Sequence, residues 1–174
     1  NVSAANQVFL YAPANGRTIS GQGRVTASQV LVDQGNGTSN LTLAMTADFL
    51  EGVVRSNATF LNSRSLNIST LTSSYNHTPA TNYAFLRVDA QGDLRVLGTI
   101  EATGNTDIQL TARDNVTISS PIIAIGDNVT ITSSSGSING TSRLDVQDGS
   151  SGWVNLSAET GISLPDVRTD ALDA

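Results

Sequence analysis

The sequence predicts an all-β fold, an elongated β-solenoid or intertwined β-helix of short strands, with a β-sandwich as the alternative. Three observations lead there. Apolar residues recur in pairs two apart, turn-forming residues fill the gaps, and one seven-residue phrase occurs twice.

From Tyr83 onward the pairs are Leu94/Val96, Ile108/Leu110, Val116/Ile118, Val129/Ile131, Leu144/Val146, Val154/Leu156 and Ile162/Leu164. A period of two puts both members on one face of a strand and their polar neighbours on the other. Successive pairs are mostly roughly 8 to 14 residues apart, with Gly, Asn, Asp and Ser between them. The phrase Asp114-Asn115-Val116-Thr117-Ile118-Ser119-Ser120 returns at Asp127-Asn128-Val129-Thr130-Ile131-Thr132-Ser133. Repetition of one short unit suggests rungs that bury their apolar face by stacking on neighbours. Strands with only two inward residues are thin for a sandwich.

The first 82 residues are less regular. Val8 to Tyr11, Gln29 to Val32, Leu41 to Met45 and Leu66 to Ile68 read as strands, and Ala47 to Val54 reads as a helical turn. Thr70 to Thr81, with Pro79, reads as a loop and marks the internal boundary. The expected organisation is an irregular N-terminal β region over 1–82, regular solenoid rungs over 83–165, and a C-terminal tail over 166–174.

Composition bounds the function. The 174 residues include no Cys and no Lys, and nine Arg stand against 15 acidic residues for a net charge of -6. Disulfides and thiolate chemistry are excluded. Nucleic acid and anionic membrane surfaces need a basic face that this balance does not offer. No run approaches the roughly 18 apolar residues of a membrane span, so direct membrane insertion of this segment is not expected. A start at Asn1 rather than Met reads as a processed product or fragment. Aromatic residues make up 5% and charged residues 14%, values that suit a disordered chain. The periodic Val, Ile and Leu argue for order instead.

The pattern Asn-x-Ser/Thr occurs at Asn1, Asn36, Asn40, Asn57, Asn67, Asn76, Asn115, Asn128, Asn139 and Asn155. Random placement of the Ser and Thr residues gives roughly three or four such matches. In most of them the middle residue is apolar, as in Ala58, Val116, Val129 and Leu156. On a strand that residue turns inward while the Asn and the Ser/Thr turn outward, where a glycan acceptor must lie. The expectation is covalent N-glycans, passage through the secretory pathway, and an extracellular or cell-surface location.

No catalytic constellation or metal set is expected. The one histidine, His77, lies within a sequon, and a lone loop histidine reads as solvated. Cys/His zinc sites are excluded by count. Asp114 and Asp127 precede the two copies of the repeated phrase, and a stacked pair there would suit calcium or sugar chemistry. Ordinary turn chemistry is the plainer account of Asp-Asn. Asp89, Asp93, Asp145 and Asp148 read as outward or turn positions. Gly21-Gln22-Gly23 lacks the strand-loop-helix setting of a nucleotide loop. Trp153 precedes Val154 in a strand and reads as packing, with sugar stacking as the alternative. Arg87, Arg95, Arg113 and Arg143 read as single solvated residues.

The stretch from Phe85 to Asp166 resembles the ectodomains of sarcoglycans. The residues that carry the likeness are Leu86-Arg87-Val88 and Gly92-Asp93-Leu94-Arg95-Val96-Leu97-Gly98, then Asp107-Ile108-Gln109-Leu110, the Asn115-Val116-Thr117-Ile118 rungs and Ser142-Arg143-Leu144-Asp145-Val146. Val154 to Pro165 completes it. The resemblance implies a glycosylated extracellular β-solenoid whose chains associate side by side, often as an intertwined trimer resembling phage tail needles. It brings no catalytic residues, and the family's membrane anchor and cysteine-rich module are absent from this sequence. Filamentous haemagglutinin-type adhesins look similar in the same Asn-Val-Thr-Ile rungs.

The leading expectation is a non-enzymatic structural subunit of a glycosylated extracellular fibre, without cofactor. Its partners would be other copies of itself or related β-solenoid chains, because a thin stack gains apolar burial by association. A carbohydrate-binding or adhesin module using Trp153, and a polysaccharide-degrading solenoid using Asp114 and Asp127, are the alternatives.

Overall fold

A computed structural model of the chain describes residues 1–12, 19, 22–35, 40–74, 84–125, 128–147 and 152–169. The fold is an all-β solenoid with no helix among those residues. Among the described residues the first coils hold two strands each: β1 (Val2–Ser3) and β2 (Gln7–Tyr11), β3 (Arg24–Thr26) and β4 (Gln29–Asp33), β5 (Leu41–Thr46) and β6 (Phe49–Val54), β7 (Ala58–Asn62) and β8 (Leu66–Ser74). Later coils hold three: β9 (Ala84–Ala90), β10 (Leu94–Val96) and β11 (Ile100–Thr103), then β12 (Thr106–Ala112), β13 (Val116–Ile118) and β14 (Ile122–Ile125). They continue with β15 (Val129–Ser133), β16 (Ser137–Gly140) and β17 (Leu144–Gln147), and with β18 (Val154–Ala158), β19 (Gly161–Ser163) and β20 (Val167–Thr169).

Every described pairing is parallel, and each strand lies on the strand one coil away. Parallel neighbours need a long connection, and here the rest of the coil supplies it. One eight-stranded sheet runs β1-β3-β5-β7-β9-β12-β15-β18 along one side. Opposite it, β2, β4 and β6 lead onto β8, from which two faces diverge: β10-β13-β16-β19 and β11-β14-β17-β20.

The core consists of files of inward residues in register. Leu41, Ala58, Leu86, Ile108, Val129 and Val154 form one file, and Leu43, Phe60, Val88, Leu110, Ile131 and Leu156 the next. From Ala58 to Ile131 all of these are fully buried. Each large apolar side chain so buried contributes about 1.5–3 kcal/mol. The pairs read from the sequence are these inward positions, which is why two apolar residues per strand suffice. The chain closes its own core, so it takes the solenoid form rather than the intertwined one.

The change from two strands per coil to three happens on β8. Its pairing with β6 slips between Leu50/Glu51: Leu50 faces Ile68 while Glu51 faces Thr70, leaving Ser69 as an extra residue. Leu66 to Ile68 then carry β10, and Leu71 to Ser74 carry β11. Such a bulge bends a strand. In the next coil Gly98 sits over the bend, where an added Cβ would lie 1.4 Å from the Ser69 carbonyl oxygen. Only glycine allows that approach.

Several expectations change. Ala47 to Val54 is not a helical turn, because its segment Phe49–Val54 is β6. Leu50 and Val54 are both inward, four apart with Gly52 between, so the spacing of a strand face imitated that of a helix. Thr70 to Ser74 belong to β8, and the rest of that predicted loop lies outside the described residues. Residues on either side of the 82 boundary share one sheet, since β7 pairs with β9. Val167–Thr169, in the predicted tail, pair with Leu144 to Val146.

Two substitutions test this packing. Gly98→Ala is expected to cost about 2–4 kcal/mol in denaturant unfolding. The Ser73 hydroxyl is buried without a hydrogen-bond partner, so Ser73→Ala is expected to be neutral or stabilising by up to about 1 kcal/mol. A clear loss on Ser73→Ala would mean the hydroxyl is satisfied.

Candidate functional site

Of the described sequon asparagines, Asn1, Asn40, Asn57, Asn115 and Asn128 stand immediately before a strand. Asp93 Oδ1 accepts hydrogen bonds from both the backbone N and Nδ2 of Asn115, each at 3.1 Å. Asn115 Oδ1 in turn accepts from the backbone N of Ser137 at 3.0 Å and its hydroxyl at 3.1 Å. A second corner repeats the device. Asp107 Oδ1 accepts from Asn128 N at 3.1 Å and Nδ2 at 3.0 Å, and Asn128 Oδ1 accepts from Trp153 N at 3.1 Å. Asn57 Oδ1 takes the amide of Phe85 at 3.0 Å, and Asn1 Oδ1 that of Arg24 at 2.8 Å.

In each case an Asx side chain accepts from a backbone amide one coil further on, just before a strand or within its first two residues. These amides lie where the coil turns, and a short side-chain acceptor is the local remedy. The same corner explains the motif. Asn holds the corner, the next residue turns into the core, and the Thr or Ser after it turns out. Ala58, Val116 and Val129 are fully buried in that middle position. At Asn57, Asn115 and Asn128 the coil geometry thus accounts for Asn-x-Ser/Thr independently of any sugar, whereas Asn67, Asn139 and Asn155 lie inside β8, β16 and β18.

Among the remaining sequons, Asn67 Nδ2 donates to the Asp48 carbonyl at 3.0 Å, and Asn139 Nδ2 to the Ser137 hydroxyl at 2.5 Å. Asn1, Asn40, Asn115, Asn139 and Asn155 are exposed, and Asn57, Asn67 and Asn128 are half-buried. Asn36 and Asn76 lie outside the described residues, as do His77, Asp127 and Asp148.

The two copies of the repeated phrase do not stack. Val116 lies over Leu94 in one sheet, and Val129 over Ile108 in the other. Around the phrase, Asn115 stacks on Asp93 and Asn128 on Asp107, a longer offset than that between the two copies. The shorter offset of the phrase therefore runs between different faces of the coil. Among the described residues no three His, Asp or Glu side chains form a metal-binding group.

Arg87, Arg95 and Arg143 are paired rather than single, as is Arg168. Arg87–Asp89, Arg95–Asp93, Arg143–Asp145 and Arg168–Asp166 join residues two apart on one outer face. The hydrogen bond and charge of Asp89 raise the pKa of Arg87 further above its ordinary value. Asp145 is buried beneath Arg143, with Gln147 Nε2 donating to it at 3.1 Å. Exposed pairs of this kind contribute about 0–1 kcal/mol each.

Trp153 is not core packing: it stands 48% exposed at its corner. A larger aromatic feature lies elsewhere. Phe9 and Tyr11 point outward from β2, 59% and 56% exposed, with ring centroids 5.6 Å apart and nearly parallel. The signal was available in Gln7–Tyr11, where Val8 and Leu10 occupy the inward positions and force the aromatics out.

Asn115→Ala and Asn128→Ala are each expected to cost about 1–2 kcal/mol in denaturant unfolding, through lost corner hydrogen bonds. Asn115→Asp sets two carboxylates together, so each raises the other's folded pKa. A raised carboxyl pKa subtracts stability at neutral pH, and the deficit closes as pH falls through about 4–5. A deficit in Asn115→Asp that does not shrink on acidification would contradict the corner contact with Asp93.

No family model, curated protein or solved structure matches the chain.

Proposed function

We propose that the chain is a non-enzymatic shaft segment of an extracellular fibre or cell-surface assembly. The observation that carries this is the stacking of parallel strands, coil on coil, among the described residues from Val2 to Thr169, in register except at the bulge in β8. Such a stack is quasi-one-dimensional: it sets a distance and displays side chains along it. The outer positions are dominated by Thr, Ser, Asn and Gln, which suits a solvated shaft.

Other copies or related β-solenoid chains are its partners side by side. From Ala58 to Ile131 apolar burial does not require them, since those files are buried within one chain, while the last coil leaves Ile162 and Val167 exposed and Val154 and Leu156 half-buried. N-glycans stand on outward Asn residues. Asn40 and Asn155 are exposed and bear no corner hydrogen bond among those described above, so they are the first acceptors. Asn115 and Asn128 are the last, because their amides bind Asp93 and Asp107.

Antibodies to this segment should label intact, unpermeabilised cells of the producing organism. Labelling seen only after permeabilisation would end the surface reading. Intact mass should fall on enzymatic release of N-glycans, with peptide mapping placing sugar on Asn40 and Asn155 ahead of Asn115 and Asn128. An unchanged mass would remove the glycans and leave the shaft.

A further inference from the structure

The geometry points to a neutral-oligosaccharide binding platform on the outer face of β2, β4 and β6. Register builds the platform: Phe9 lies beside Leu31 and then Glu51, while Tyr11 lies beside Asp33 and then Val53. Gln7 lies beside Gln29 along one margin. Phe9, Leu31, Asp33, Glu51, Val53 and Thr70 line a shallow groove. Two features set it apart from an ordinary solenoid face. The stacked rings offer a broad apolar surface, and the polar groups around them are already oriented. Gln7 Nε2 donates to Gln29 Oε1 at 3.1 Å, and Gln29 Nε2 donates to Glu51 Oε2 at 3.4 Å. Asp33 is steadied by the amide of Gly35 at 2.8 Å.

The mixture selects the ligand. A pyranose ring has an apolar C–H face that stacks on aromatics and a hydroxyl rim that bonds carboxylates and amides. Among the described residues lining the groove, Asp33 and Glu51 are the charged groups, and both repel sulfated, sialylated or nucleic-acid ligands. A lipid chain would bury the carboxylates and amides without partners. A second copy docked face to face about a two-fold axis would press this acidic surface against itself. A neutral glycan meets none of these penalties. Such a shallow site binds weakly alone and gains by repetition along a fibre. The platform is independent of the shaft role, and neither requires the other.

The test uses the full chain on an array of neutral and acidic oligosaccharides, followed by titration of the bound neutral glycans in solution. Phe9→Ala and Tyr11→Ala should each weaken binding by about tenfold or more. Both side chains are largely exposed, so thermal melts should stay near that of the parent chain. Trp153→Ala should bind like the parent, and Gln29→Ala should bind less. Three outcomes would overturn the proposal: no neutral glycan bound, affinity unchanged in both aromatic variants, or preference for acidic glycans. Light scattering that shows a dimer dissolved by Phe9→Ala would assign the face to a second copy instead.

Discussion

Each coil must set its inward side chains directly over those of the coil beneath. Parallel pairing in register enforces this, and most other features follow from it. The inward positions become files in which Leu, Ile, Val and Ala alternate in size but never in polarity, apart from corners such as Asn62 and Ser133. Asn62 illustrates the exception: its side chain accepts from Ala47 N and donates to the carbonyls of Ala47, Arg64 and Ser65. A polar group inside the coil persists because it is fully bonded. The outward positions are left free to vary, which is where any recognition must reside.

The corners carry the second constraint. A coil that turns leaves backbone amides without a sheet partner, and Asp or Asn one coil away supplies the acceptor. The three-residue pattern this produces is identical to the acceptor motif for N-linked sugar. The corner accounts for the motif at Asn57, Asn115 and Asn128 and not at Asn67, Asn139 and Asn155, which lie within strands. Asn155 on the outer face and Asn128 in its hydrogen-bonded corner share a motif and differ in chemistry.

Legibility in the sequence tracked how local the cause was. Period-two pairs are local, and those from Leu94/Val96 to Leu144/Val146 proved to be inward residues. The coil length was not local. The repeated phrase is shorter than one coil, so it matched two faces and disguised the true stacking of Asn115 on Asp93. The second half of β8 was hidden because Thr70, Thr72, Ser73 and Ser74 look like loop residues. Leu71 alone marks the strand, and only the neighbours Ile100 and Gly52 make it one. The aromatic platform was missed for a different reason. Trp153 drew notice by rarity, whereas Phe9 and Tyr11 sit in a segment apolar enough to pass for core.

Among the described residues the bulge at Ser69 joins coils with two strands to coils with three, because β10 and β11 both stack on the single strand β8. One strand thus serves as the template for two faces, and the place of the step along the solenoid is set by where Ser69 falls in the chain.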